Sequence, residues 1–247
     1  RSSKSIVEIG NDVMSGLGEP ASASKSESGQ VLWVDARVFK PSAPEIEEHV
    51  GDVITPMVLR LVRNTLKGDK NIVLLSRRKR LTWYVNYKNI ETSSRGTLDG
   101  YLDLIHSYIL PEHRKRVSIS TTHGYKGRER PHVIILDAVD RSYPLIHPDW
   151  IFARIFGDDE EKLIEEERRL LYVALSRAEE RLVVISDGGR ESPFLTPIRS
   201  KTYIESIDWE KYTYSPVGGR TIVRIYNQDQ KDYRPTFTIR DDLRAAG

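Results

Sequence analysis

The chain has 247 residues, 38% apolar and 30% charged, with 38 Lys and Arg against 36 Asp and Glu for a net charge of +2. That length allows one large domain or two small ones, and no apolar run approaches the ~20 residues of a membrane helix. The absence of cysteine excludes disulfides, thiolate zinc sites and iron–sulfur clusters and suits a reducing compartment, while the near-balanced charge means that any nucleic-acid partner must be held by local patches.

Taken in order, Ile6, Ile9 and Val13 are spaced for a helix over 2–14. A Gly/Ser/Ala-rich loop follows over 16–29, then a strand over 31–39. The stretch 44–66 reads as one long helix bent at Pro56. Residues 71–76 form a short, wholly apolar strand of the kind buried in parallel sheets. Four cations, Arg77 to Arg80, come next and set their charge against the dipole of any helix they open. They read either as a solvated face or as rim contacts to a nucleic acid, and Arg77 is the candidate contact.

A second amphipathic helix spans 98–110, and strands follow over 117–122 and 132–139. The sequence then carries Arg141-Ser-Tyr-Pro144, where Tyr143 either stacks on a base or packs the loop. A helix over 163–178 and a strand over 181–186 complete the pattern. Strands alternating with helices predict an α/β fold with a parallel sheet flanked by helices. Ligands of such sheets lie at the carboxyl ends of strands, where the distinctive residues are expected. Residues 1–190 are expected to form this domain, and 191–247 a linker and the start of an appendage. Arg1 and Gly247 read as boundaries within a longer protein.

Two segments carry most of the chemical signal. Thr121-Thr-His-Gly-Tyr-Lys-Gly-Arg-Glu129 directly follows a strand. Thr121 and His123 are short donors at its end, and Gly124 and Gly127 let backbone amides approach a phosphate closely. A polar strand–turn connection is the plainer alternative. In Glu165-Glu-Glu-Arg-Arg-Leu-Leu-Tyr-Val-Ala-Leu-Ser-Arg-Ala178, Arg168 and Arg169 are in ion-pair register with Glu165. Arg177 instead follows a wide apolar face and reads as a cation leaving the core toward an anion. No G-x-x-x-x-G-K-[ST] phosphate loop and no Asp-Glu magnesium pair ending an apolar run are present. The six His residues show no close metal-ligand spacing. The chain by itself is therefore not expected to hydrolyse ATP.

These segments resemble motifs V and VI of the UvrD/Rep-type superfamily 1 DNA helicases. The first matches T-x-H-x-x-K-G-x-E at every fixed position. The cations at Arg128 and Arg130 depart from the apolar residues often found there and are closer to the helicase IV-like branch. Arg1, Ser2, Ile6 and Asn11 fit the register of motif IV, with its first half missing.

The resemblance implies the second RecA-like motor domain, P-loop NTPase-like but lacking the P-loop. It implies that Arg177 and Arg1 reach the γ-phosphate of ATP, that Glu129 meets the ribose, and that Gly127 with Lys126 shapes the loop. Thr121 and His123 would contact single-stranded DNA, with Tyr143 and Arg77 as further candidate contacts. Partners would be single-stranded DNA and an N-terminal RecA-like domain supplying the phosphate loop and the Mg²⁺ ligands. It further implies 3′–5′ polarity and a bacterial cytoplasmic protein, nucleoid-associated when active. The large helical insert that relatives often carry between motifs IV and V has no counterpart of that size. Two other readings stand beside this one: a non-catalytic binding module with a vestigial helicase core, and the motor half of a helicase–nuclease.

Overall fold

The computed structural model describes residues 2–49, 52–81, 97–146, 160–187 and 189–212. The chain divides into a compact unit over 1–215 and a second unit over 216–247. The second unit, and with it most of the expected appendage, lies outside the described residues.

The first unit is built on a sheet of six strands, all parallel: β1 (Gln30–Asp35), β2 (Ile72–Ser76), β3 (Val117–Thr121), β4 (Arg130–Ile135), β5 (Ala178–Ser186) and β6 (Ile204–Ser206). Their order is β3-β2-β4-β5-β1-β6. Helices cover both faces, the parallel α/β arrangement expected from the alternating pattern.

Period-2 alternation sorts the side chains of β2 onto two cores. Ile72 and Leu74 join a cluster with Met57, Val62, Tyr101 and Ile105, under α3 (Ile54–Leu66) and α4 (Leu98–Ser107). Val73 and Leu75 join the opposite cluster with Ile6, Ile9, Leu171 and Leu175, under α1 (Lys4–Val13) and α5 (Glu160–Leu175). All five residues of β2 are buried, as its unbroken apolar run implies.

Four expectations are corrected. The long helix over 44–66 is two helices, α2 (Ala43–Glu48) and α3. Ser42 and Glu45 form a capping box that starts α2. The Asp52 carboxylate accepts from the amides of Ile54 and Thr55 and starts α3. Pro56 thus lies in the first turn of α3, where a missing N–H costs nothing, and begins a helix instead of bending one. The 31–39 strand ends at Asp35. Residues 77–81 are themselves not helical, so the four cations lie outside any helix among the described residues. Beyond 190 the chain still serves the sheet, because β6 pairs with β1 from Val31↔Ile204 to Trp33↔Ser206. Trp209 then packs its ring 4.7 Å from that of Phe39.

Candidate nucleotide and nucleic-acid site

The segment 122–129 crosses the molecule from one end of the sheet to the other. It leaves the carboxyl end of β3 at Thr121 and enters the amino end of β4 at Arg130. The amides of Tyr125, Lys126 and Arg128 donate to the carbonyls of Thr121, His123 and Tyr125, giving consecutive tight turns. The Thr121 hydroxyl accepts from the Gly124 amide at 3.0 Å, and a Cβ on Gly124 would sit only 3.0 Å from that hydroxyl oxygen. Gly127 ends the turns at φ +82°, a left-handed conformation that glycine adopts without strain. Tyr125 is buried and anchors the crossing to the core.

Arg177 lies just beyond the end of α5, in the turn before β5. This corrects the reading that placed it within the helix. Its main-chain carbonyl accepts from the Arg130 amide at 3.0 Å, so the first residues of β4 and β5 are neighbours. Its guanidinium donates to the carbonyl of Val173 (Nε, 2.9 Å), the carbonyl of Arg128 (Nη1, 3.2 Å) and the hydroxyl of Ser176 (Nη2, 2.8 Å). These acceptors are neutral, so among the described residues no carboxylate partner offsets its charge. Arg60 by contrast meets Glu45, and Arg77 meets Glu167. Glu129 sits directly before β4, between Arg128, whose carbonyl Arg177 holds, and Arg130, whose amide bonds to Arg177.

The distinctive residues therefore fall at both ends of the sheet, and the expectation of a single carboxyl-end cluster is corrected. Thr121 and His123 lie at the carboxyl end of β3. Glu129 and Arg177 lie at the amino ends of β4 and β5. The parallel register Arg130↔Ala178 brings the second pair together, and the eight-residue crossing joins the two groups. Arg1 lies outside the described residues. Its neighbour Ser2 donates its hydroxyl to the Ala178 carbonyl at 2.6 Å, and the Ser3 amide donates to the Glu179 carbonyl at 3.0 Å.

Two of the expected nucleic-acid contacts have other roles. Tyr143 is fully buried. Its hydroxyl bonds to the buried Thr122 hydroxyl, and its carbonyl accepts from Ser192. The ring is the loop-packing aromatic and has no free face for a base. Arg77 is 12% exposed at its side chain and forms a two-point pair with Glu167, Nη2–Oε1 at 2.6 Å and Nε–Oε2 at 3.2 Å. It is an internal tie between β2 and α5 and not a free rim cation.

Two residues in this region escape a reading by motif. Glu167 also accepts from the Leu145 amide at 2.9 Å. Asp137, just past β4, accepts from the Ser76 hydroxyl at 2.9 Å and from the Arg77 amide at 3.1 Å. Burial pushes its carboxyl up to about 6 against these hydrogen bonds and the Arg77 charge. The available signal was a carboxylate directly after a buried strand. His123 is held below its ordinary value, first by burial and then by the charge of Arg77.

Beside this network, Thr122, His123, Lys126, Glu167, Arg169 and Val173 line a groove of about 250 Å³ between the crossing and α5. Arg169 pairs with Glu165 at 3.1 Å as its spacing predicts, whereas Arg168 lies over the Phe194 ring at 5.5 Å. The Tyr172 ring packs on Gly10 of α1, where an added Cβ would come within 2.9 Å of it. No helix among the described residues is long and apolar enough to cross a membrane.

Comparison with known proteins bears on the same stretch. Residues 102–187 match the model of the UvrD-like helicase C-terminal domain. A "Probable DNA helicase" of Mycoplasma pneumoniae (strain ATCC 29342 / M129 / Subtype 1) is 26% identical over 191 residues, covering 75% of this chain and 30% of the relative. The Bacillus subtilis (strain 168) protein named "Putative ATP-dependent DNA helicase YjcD" is 38% identical over 91 residues, covering 34% of this chain and 12% of the relative. The chain thus spans less than a third of the length of either. The solved C-terminal domain of a possible DNA helicase from Lactobacillus plantarum WCFS1 is similar at a TM-score of 0.44 and 16% identity, over 83% of this chain and 97% of that one. The stretch 102–187, which holds Thr121, His123, Gly127, Glu129 and Arg177, is of the UvrD-like helicase C-terminal domain type.

Proposed function

We propose that this chain is the second motor domain of an ATP-dependent 3′–5′ DNA helicase or translocase. Arg177 and Arg1 serve the γ-phosphate, Glu129 the ribose, Gly127 the shape of the loop, and Thr121 and His123 the single-stranded DNA backbone. The phosphate loop and the Mg²⁺ ligands lie on a first RecA-like domain of the longer protein. ATP binds between the two domains and closes the cleft, and hydrolysis reopens it.

The observation that carries this reading is the state of Arg177. A guanidinium resting on two carbonyls and a hydroxyl keeps its full charge for an incoming anion and exchanges only neutral acceptors for it. It stands next to Glu129, at the opposite end of an eight-residue crossing from the DNA-contacting pair. A shift of the crossing on nucleotide binding would be felt at Thr121 and His123.

The test is DNA-stimulated ATPase activity of the full-length protein, measured beside this chain alone. Turnover only with single-stranded DNA, and none from this chain, supports the split motor. Arg177→Ala should lower turnover by ~10³–10⁵, the range for an arginine acting on a transferring phosphoryl group. Single-stranded DNA affinity without nucleotide should be unchanged. Undiminished turnover removes Arg177 from this role, and a full-length protein silent with every nucleic acid would favour a binding module with a vestigial core.

A further inference from the structure

The buried Arg77–Glu167 pair points at His123. Nε and Nη2 of Arg77 are taken by the two carboxylate oxygens of Glu167, and Nη1 is directed at His123 Nδ1 at 3.4 Å. A guanidinium only donates, so Nδ1 of His123 must present its lone pair. A neutral imidazole with an accepting Nδ1 carries its proton on Nε2. The pair is itself fixed. The Arg77 amide is held by Asp137, and Glu167 also takes the Leu145 amide. One network therefore joins the ends of β2 and β4, α5, the loop at Leu145 and the crossing.

Resting on the reading that His123 meets the nucleic-acid backbone, we propose that Arg77 and Glu167 are positioning residues that fix His123 as an Nε2–H donor to a backbone phosphate. The charged groups that act on the ring are Arg77 from just past β2, Glu167 from α5 and Lys126 from the crossing, and Glu166 and Arg169 of α5 line the same groove. Arg77 and Lys126 both oppose a proton on Nδ1. A donor with one fixed proton recognises phosphate by direction and not by charge. This also accounts for a cation that is nearly buried beside His123: Arg77 acts through its neighbour.

Two measurements on the full-length protein test this. Long-range ¹H–¹⁵N NMR of the His123 ring at pH 7.5 should find the neutral Nε2–H tautomer, and an Nδ1–H tautomer or an imidazolium overturns the proposal. Fluorescence anisotropy with labelled oligo(dT) then follows a double-variant cycle. His123→Ala should weaken binding about tenfold, the loss of one hydrogen bond to a charged group. Arg77→Lys keeps a charge for Glu167 but loses the fork. It should weaken binding to a similar degree in the parent and have no further effect in the His123→Ala background. Equal losses in both backgrounds would mean that Arg77 contacts DNA itself, and no loss in either would mean that the pair positions nothing; each overturns the proposal. If His123→Ala binds like the parent, the backbone-contact reading of His123 is what fails.

Discussion

Asp137 is a buried carboxylate whose protonation should show in the stability of the domain. Its pKa rises from 3.8 to about 6 on folding because burial disfavours the ion more than Ser76 and Arg77 stabilise it. Between those values the folded state holds a proton that the unfolded state has lost, so stability falls as pH rises. Each tenfold change in proton affinity is worth 1.36 kcal/mol. The total fall is about 3 kcal/mol, with about 2 kcal/mol of it between pH 4.5 and pH 7. Asp137→Asn removes the titration. It also removes one of two acceptors, a pH-independent loss of about 1 kcal/mol.

The assay is urea unfolding followed by tryptophan fluorescence at several pH values. Glu45, held below its ordinary 4.5 by Arg60 and Ser42 in spite of burial, gives the opposite slope. The informative quantity is therefore the difference between variant and parent. Asp137→Asn should gain about 2 kcal/mol relative to the parent between pH 4.5 and pH 7. Parallel curves would refute the argument and mean that the hydrogen bonds of Ser76 and Arg77 fully offset burial.

Other expected outcomes concern how the site is held. Gly29→Ala should destabilise by about 1–3 kcal/mol, because φ is +66° and the new Cβ would sit 1.7 Å from Ser3 Oγ. A thermal midpoint lowered by ~2–4 °C per kcal/mol checks it, and an unchanged midpoint would show that the Ser2–Ser3 segment yields freely. Glu45→Ala strands the Arg60 side chain, 10% exposed, without its carboxylate and removes the capping box of α2. A loss of about 3–5 kcal/mol in denaturant unfolding is expected, and a loss under about 1 kcal/mol would mean that Arg60 finds water or the Phe39 ring, 5.1 Å away, as a substitute.

Much of the fold was legible because it is written in local periodicity. The apolar run 72–75 could only be a buried strand, and the spacing of Ile6, Ile9 and Val13 could only be one face of a helix. The motif residues Thr121, His123, Glu129 and Arg177 were legible because their types and spacing lie within short segments. The break between α2 and α3 was harder to see, since it depends on the Asp52 side chain capping a helix in which Pro56 is tolerated. Spacing along the chain also says nothing of which end of a sheet a residue reaches. That depended on the parallel pairing of β4 with β5, which sets Glu129 beside Arg177 and away from His123.

The sequence by itself determined the α/β class, the motif residues and the cation at 177, all properties of neighbours within about ten positions. Only the tertiary structure decided which charges are spent internally. Arg77 and Glu167 are 90 positions apart, and so nothing local marks them as partners. Tyr143 finds Thr122 across 21 positions and so turns its ring inward. Arg77 and Arg177 look alike in the sequence. Burial against a carboxylate neutralises the first, while a turn lined with carbonyls leaves the second its charge, because pairing depends on distance in space and not along the chain.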